Sequence, residues 1–219
     1  MFRVLDRLDA AGLRPTVAID LATARRRPYL TRLLRDRGDD VIAAGPSAGE
    51  PIAADAGVDE ERVVSATLDG LAATLGRACV GWMGPGGAET LATPAVLAHA
   101  GVAFVCDWAN DEQPYRIQTA AGPLVSLPVA LELDTQHALW ERRLPADVWA
   151  DQVRRAGERL ANDATRGPAR LLVVVLRPWL VGQPFRVPAL EAAVRALAAL
   201  PAWHAPAGEV TRAAVDQLE

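Results

Sequence analysis

The sequence predicts an α/β protein built on parallel strands, and three observations carry that prediction. Short runs of apolar and β-branched residues alternate with longer stretches whose apolar residues recur at helical spacing, roughly six times along the chain. The connections between them are short. Polar residues and glycine–proline pairs gather where the predicted strands end, which is where α/β proteins keep their chemistry. The chain has 219 residues, 51% of them hydrophobic and 23% charged, enough to bury a core. No linker or break in composition divides it, so a single domain over residues 1–219 is expected. Element order alone leaves a barrel and an open doubly wound sheet as alternatives.

Taken in order, the run FRVLDRLDAAG has helical spacing and stops at Gly12, and Thr16 to Asp20 follows as a short strand. YLTRLLRDRG is a helix stopped by Gly38, and DVIAAG, from Asp40 to Gly45, is the next strand. Asp59 opens a long helix that ends at Gly76, the N-cap and C-terminal residues such a helix favours. ACVGWMGPG is a strand running into a glycine–proline loop, TPAVLAHAG a helix, and VAFVCDW a strand. GPLVSLPVALELD carries another strand, and Pro145 starts a helix that reaches Asp163. Leu171 to Leu176 is an unbroken apolar run with three consecutive valines, which reads as a central parallel strand. A helix over Pro188 to Leu200 and a final AWHAPAGEV segment close the pattern.

Composition narrows the function classes. The formal charge of -4 argues against nucleic acid or an anionic membrane as partner, although every one of the 23 basic residues is arginine. Cys79 and Cys106 both adjoin apolar residues and are expected as buried free thiols, consistent with a reducing cytoplasm. No charged-then-apolar leader opens the chain, and no apolar run approaches the ~20 residues of a membrane span. The glycine fingerprint of dinucleotide sites, the Gly-Lys phosphate loop and the nucleophile elbow are all missing. GPGGAE, from Gly84 to Glu89, lacks the lysine and reads as a flexible strand-to-helix turn.

Three stretches, VGWMGPGGAETLATPAVLAHAGVAFVCDWANDEQPYRI, LPVALELD and LRPWLVGQPFR, in that order and spacing, resemble the polysaccharide deacetylase (NodB-homology) superfamily. The similarity is greatest to its allantoinase-like and imide-hydrolase-like branch and runs from residue 2 to about Val210. It implies a distorted (β/α) barrel of parallel strands, here incomplete because the chain opens at the helix that would follow the family's first strand. It also implies hydrolysis of amide bonds, in acetylated sugars or in cyclic ureides and imides. Metal-dependent members of the family hold a divalent ion with an aspartate of a T-F-D-D-G motif and two histidines of an H-x-x-x-H motif, and the ion polarises the carbonyl and acidifies its water. The expected histidine positions fall on Gly45 and Gly49. His99, His137 and His204 are scattered, without ligand spacing. No metal and no cofactor are therefore expected.

The family's L-H-P loop supplies a histidine as general acid, whereas this chain reads LRP at Arg177. Arginine stays protonated near neutral pH and cannot give and retake a proton. Its expected role is to hold an anion or to pair with Glu132 or Asp107. The candidate catalytic residues are Asp107, Asp111 and Glu132, with Trp82, Trp108, Asn110, Gln113, Tyr115, Arg177, Gln183 and Arg186 as candidate contacts for a small-molecule ligand. Asp20 and Asp134 also fall at predicted strand ends, Trp140 and Trp179 could add to an aromatic wall, and Met83 stands where many deacetylases have arginine. Two readings follow. The first is a non-catalytic family member that forms a homo-oligomer or a heterocomplex with an active deacetylase-like paralogue, its uncovered strand edges and Phe2, Val4 and Leu5 forming the interface. The second is a metal-independent hydrolase of a cyclic imide, a ureide or a related amide, in which carboxylates steer water.

Overall fold

The computed structural model describes residues 1–49 and 59–218. They fall into two compact units, one comprising Met1–Pro15, Ala109–Gln113 and Pro128–Ala205, the other Thr16–Trp108, Pro114–Leu127 and Pro206–Glu219. All the paired strands belong to the second unit.

In the second unit, the strands β1 (Thr16–Ile19), β2 (Asp40–Ala43), β3 (Gly81–Trp82), β4 (Phe104–Val105), β5 (Tyr115–Thr119) and β6 (Gly122–Ser126) form one sheet in the order β1-β2-β3-β4-β6-β5. Every neighbouring pair is parallel except β5–β6, an antiparallel hairpin in which Tyr115 lies opposite Ser126. The expected mostly parallel α/β architecture is present, and the sheet is open. The β5 strand of the hairpin is not predicted from the sequence, because Arg116, Gln118 and Thr119 mask the alternation that marks a strand. Its position explains them, because β5 is an edge strand, where polar residues are usual.

The helices of this unit are α2 (Leu21–Arg26), α3 (Pro28–Asp36), α4 (Glu60–Leu75), α5 (Thr93–His99) and α9 (Ala207–Leu218). The α4 boundaries match the sequence signals: the Asp59 carboxylate accepts from the Arg62 N–H at 3.0 Å, and Gly76 takes the left-handed conformation at φ 73°. Phe104 and Trp82 are fully buried. Gly81 permits that packing, because a Cβ there would meet Ile42 Cγ2 at 2.7 Å as well as the Phe104 ring.

The first unit holds α1 (Phe2–Ala10), α6 (Ala146–Ala164), α7 (Pro178–Val181) and α8 (Val187–Ala198), with a 3-10 turn at Leu131–Leu133 and a π-helical segment at Gln136–Glu141. Val4, Leu8, Leu139, Trp149, Val153, Val181 and Leu190 pack into its core, and the Trp149 indole donates to the Leu133 carbonyl at 2.9 Å. Two expectations fail here. Val4 and Leu5 are 4% and 3% exposed, so they are core residues and cannot form an interface. Leu171–Leu176 is extended but forms no ladder: the Val173 and Val175 carbonyls accept from Ala130 and Thr135. Acceptors two residues apart met by donors five apart cannot belong to a neighbouring strand, and the turn at Leu131–Leu133 takes up the difference.

The final segment is a helix rather than a sheet edge. At its start the Ala207 N–H donates to Thr16 Oγ1 at 2.7 Å and the Gly208 N–H to Asp40 Oδ2 at 3.1 Å; the Thr16 hydroxyl in turn donates to Asp40 Oδ2 at 2.8 Å. Near its other end the Val215 carbonyl accepts from Arg116 Nη2 at 3.4 Å. The α9 helix thus touches both edge strands, β1 and β5. Asp40→Ala strands two of these donors and removes a carboxylate from a helix N-terminus, and is expected to destabilise the protein by about 2 kcal/mol. Chemical denaturation would measure the loss, and hydrogen exchange in residues 207–218 should rise more than in α4. An unchanged midpoint would show that α9 is held by apolar contacts alone.

Candidate functional site

In the first unit the polar centre is Arg177. It caps the short α7 helix, where Pro178 sits at the first turn, and its backbone N–H donates to Thr135 Oγ1 at 2.7 Å. Its guanidinium meets Asp134 Oδ2 through Nη2 at 2.9 Å, while Asp134 Oδ1 accepts from the Gln136 N–H at 2.6 Å. Asp134 is 7% exposed and Thr135 fully buried. The ion pair is therefore built into the start of the π-helical segment. Asp134, rather than Glu132 or Asp107, is the partner of Arg177. Glu132 is exposed and lies 3.7 Å from Arg142, an ion pair of little consequence.

The same unit contains Asn110, Asp111, Gln113, Gln183 and Arg186. Asp111 is exposed, and its carboxylate caps the next residue's N–H at 2.6 Å. Gln183 donates to the Trp179 carbonyl at 2.9 Å, and Arg186 stacks over Phe185 at 4.9 Å. Trp140 and Trp179 meet edge to face at 5.5 Å, and both are more than half exposed. His137 contacts Glu141 at 2.8 Å and holds that carboxylate below its ordinary range.

In the second unit the chemistry gathers where β3 and β4 end. Asp107 follows β4 by two residues, and both its oxygens accept from the Gly84 N–H at 2.8 Å. Burial pushes its carboxyl up to about 8, proton sharing with Glu89 adds to the rise, and the Gly84 N–H opposes it. Burial also raises Glu89, against the pull of Asp107 and the Trp108 indole. The Glu89 oxygens are buried and meet no donor of good geometry. Two facing carboxyls bond each other only if one of them carries a proton, which agrees with the rise of Asp107.

Of the sequence candidates, Asp107 and Trp108 come together here. Glu89 was missed: it read as the tail of a glycine-rich turn. A charged residue closing such a turn directly before the polar TLATP helix start was the one available signal. Trp82 is fully buried, with its Nε1 unpaired, and Tyr115 lies in the β5 edge. Asp20 caps α2 by accepting from the Thr23 N–H at 2.8 Å. Cys79 and Cys106 are buried free thiols, as expected; burial pushes Cys79 up to about 11 and Cys106 up as well.

Gly45 and Gly49 stand at the two histidine positions that the resemblance implies, and neither has a side chain to ligate an ion. Gly45 has φ 75°, and a Cβ there would run into the Pro85 ring, 2.8 Å from its Cδ. The space a histidine needs is filled. Among the described residues no group of three or more His, Cys, Asp or Glu side chains could hold a metal ion. None of the described helices is long and apolar enough to cross a membrane.

No protein-family model and no curated protein matches the sequence. Solved structures do match the fold. A protein from Mycobacterium smegmatis assigned as a polysaccharide deacetylase superimposes with a TM-score of 0.85 at 23% identity, over 98% of this chain and 76% of its own. An allantoinase superimposes with a TM-score of 0.87 at 19% identity, over 96% and 70%. A mutant of a CE4 family pseudoenzyme with restored enzymatic activity is more distant, with a TM-score of 0.56 at 10% identity over 89% and 54%. This chain has the fold that polysaccharide deacetylases and allantoinase share, the distorted (β/α) barrel type that the resemblance implied.

The two glycines at the expected histidine positions differ physically, and paired substitutions would expose the difference. Gly45→Ala forces a left-handed backbone onto an L-residue and a methyl onto Pro85, and is expected to cost roughly 2–4 kcal/mol. Gly49 has nothing within 4 Å of a built Cβ, so Gly49→Ala should cost less than about 0.5 kcal/mol. Equal unfolding midpoints for the two variants would remove the steric argument at Gly45.

Proposed function

We propose that this chain is a deacetylase-fold protein without metal-dependent hydrolysis, acting by binding a protein partner: a second copy of itself or an active deacetylase-like homologue. The observation that carries the reading is the Arg177–Asp134 ion pair. By the resemblance, Arg177 stands where the family has its general-acid histidine, and a guanidinium tied to a buried carboxylate does no acid–base work. The Pro85 ring against Gly45 supports the same reading from the metal side. The pseudoenzyme among the matching structures offers a precedent for this fold without activity. For partner binding, the support is the exposed Trp140–Trp179 pair, since large apolar side chains in water mark interaction surfaces.

One observation favours a second reading, metal-independent hydrolysis of an imide, a ureide or a related amide. Burial pushes the Asp107 carboxyl up to about 8, toward the range where a general acid–base group works well at neutral pH. As the acid it would protonate a departing nitrogen, and as the carboxylate it would take the proton of an attacking water. Asp111 and Glu132 both lie exposed to water, Glu132 beside Arg142.

Purified protein is expected to show no turnover of N-acetylated sugars, allantoin or simple imides, and Arg177→His alone should not restore any, because the metal position remains blocked. Light scattering should reveal a stable oligomer, or a homologue should copurify, and Trp179→Ser should weaken the assembly with an unchanged melting temperature. Hydrolysis abolished by Asp107→Asn would establish the second reading instead. A monomer with no copurifying partner would end the first.

A further inference from the structure

The loop from Gly84 to Glu89 is fixed at both ends by different chemistry. At its far end the Thr90 hydroxyl donates to Glu60 Oε2 at 2.7 Å, and the Thr93 hydroxyl donates to Glu60 Oε1, which ties the loop to α4. At its near end the single Gly84 N–H lies 2.8 Å from both oxygens of Asp107. Between them Gly86 and Gly87 both take left-handed backbone, at φ 70° and 69°, so the chain doubles back on itself. The return is tight: a Cβ on Gly84 would lie 2.6 Å from the Ala88 carbonyl oxygen and 3.2 Å from Asp107 Oδ2. This fold-back sets the Glu89 carboxyl against Asp107 and the Trp108 indole, its oxygens buried and meeting no donor of good geometry.

The charged and titratable groups acting on the pair from its surroundings are all acids. Glu60 on α4 raises Glu89, while Asp107 and Asp40 raise Cys106, the residue before Asp107; no arginine is among the groups that shift either carboxyl. Two adjacent buried carboxylates with no cation cannot both ionise at low cost.

We propose that Glu89 and Asp107 share one proton, and that this proton latches the glycine-rich loop shut over the ends of β3 and β4. With the proton present, one carboxyl donates to the other and Asp107 accepts from Gly84. Without it, like charges face each other and the two left-handed glycines let the loop swing while Glu60 keeps its far end attached. The inference holds whether or not the chain turns over a substrate. Its direction with pH follows from linkage: the closed loop keeps a proton that an open one, with an ordinary Asp pKa of 3.8, releases. Closure is therefore complete at acid pH and is lost as pH rises toward about 8.

Hydrogen exchange of residues 83–90 in the whole protein, corrected for the intrinsic exchange rate, tests this. Exchange is expected to rise about tenfold per pH unit between pH 6 and 8 and to level off above that, as loss of one linked proton requires. In Glu89→Gln the amide donates to Asp107 at every pH, so protection should persist to pH 9. Infrared spectra of the unaltered protein should show a protonated carboxylic acid at pH 7 that disappears by pH 9, a readout that survives if the variant fails to fold. Flat wild-type protection across this range, an unaltered transition in Glu89→Gln, or no protonated acid at pH 7 would each overturn the latch.

Discussion

Much of the second unit follows from one constraint: a parallel sheet with two open edges is bridged by a single helix. Six strands laid flat put β1 and β5 about 24 Å apart at the usual strand spacing. From Ala207 to Val215 the α9 helix advances only about 12 Å, yet its first N–H groups reach Thr16 and Asp40, and its Val215 carbonyl reaches Arg116 on β5. One arginine side chain cannot make up a flat sheet's width, so the sheet must curl. The curl gives the sheet its barrel character without a closing ladder. The ends of β3 and β4 lie side by side because the two strands pair in parallel, and there Gly84 meets Asp107.

The two polar centres differ in how each treats charge. Arg177 and Asp134 answer burial by pairing opposite charges, with Thr135 and the Gln136 N–H taking the remaining hydrogen bonds. Such a pair is rigid, and breaking one half leaves the other buried and unmatched. Glu89 and Asp107 have no cation and answer burial by keeping a proton. The first arrangement neutralises its buried carboxylate with a guanidinium; in the second, burial pushes Asp107 up to about 8 instead.

The sequence revealed the elements whose signals are local. Asp59 and Gly76 bound α4 because capping is decided within four residues, and the strand cores of β1 and β2 show in VAI and VIA. What escaped depends on partners distant in sequence. Leu171–Leu176 has strand composition, but whether it enters a ladder depends on the spacing of donors at Ala130 and Thr135. Arg116 and Gln118 look like loop residues until the edge position of β5 is known. At the site, the substitution at Arg177 was legible and its partner was not, since Glu132, Asp134 and Asp107 are all acids in plausible places. Glu89 was hidden for the same reason: nothing in GPGGAE announces that two left-handed glycines will fold it onto a residue 18 positions away.

Asp107, Asp111 and Glu132 are the same kind of group at similar places in the chain, and what separates them is solvent. Asp111 and Glu132 lie in water, one capping the next N–H and the other in a loose surface ion pair with Arg142. Asp107 has lost that water to Ala88, Gly84 and Glu89, so ionising it means charging a site already bordered by acids. The glycine-rich loop is what excludes the water. A Cβ at Gly84 would push Ala88 away, and the Glu89 carboxyl would move off Asp107 with it. The acid–base character of Asp107 is thus set by the absence of a side chain 23 residues earlier, which is why composition around Asp107 itself carries no trace of it.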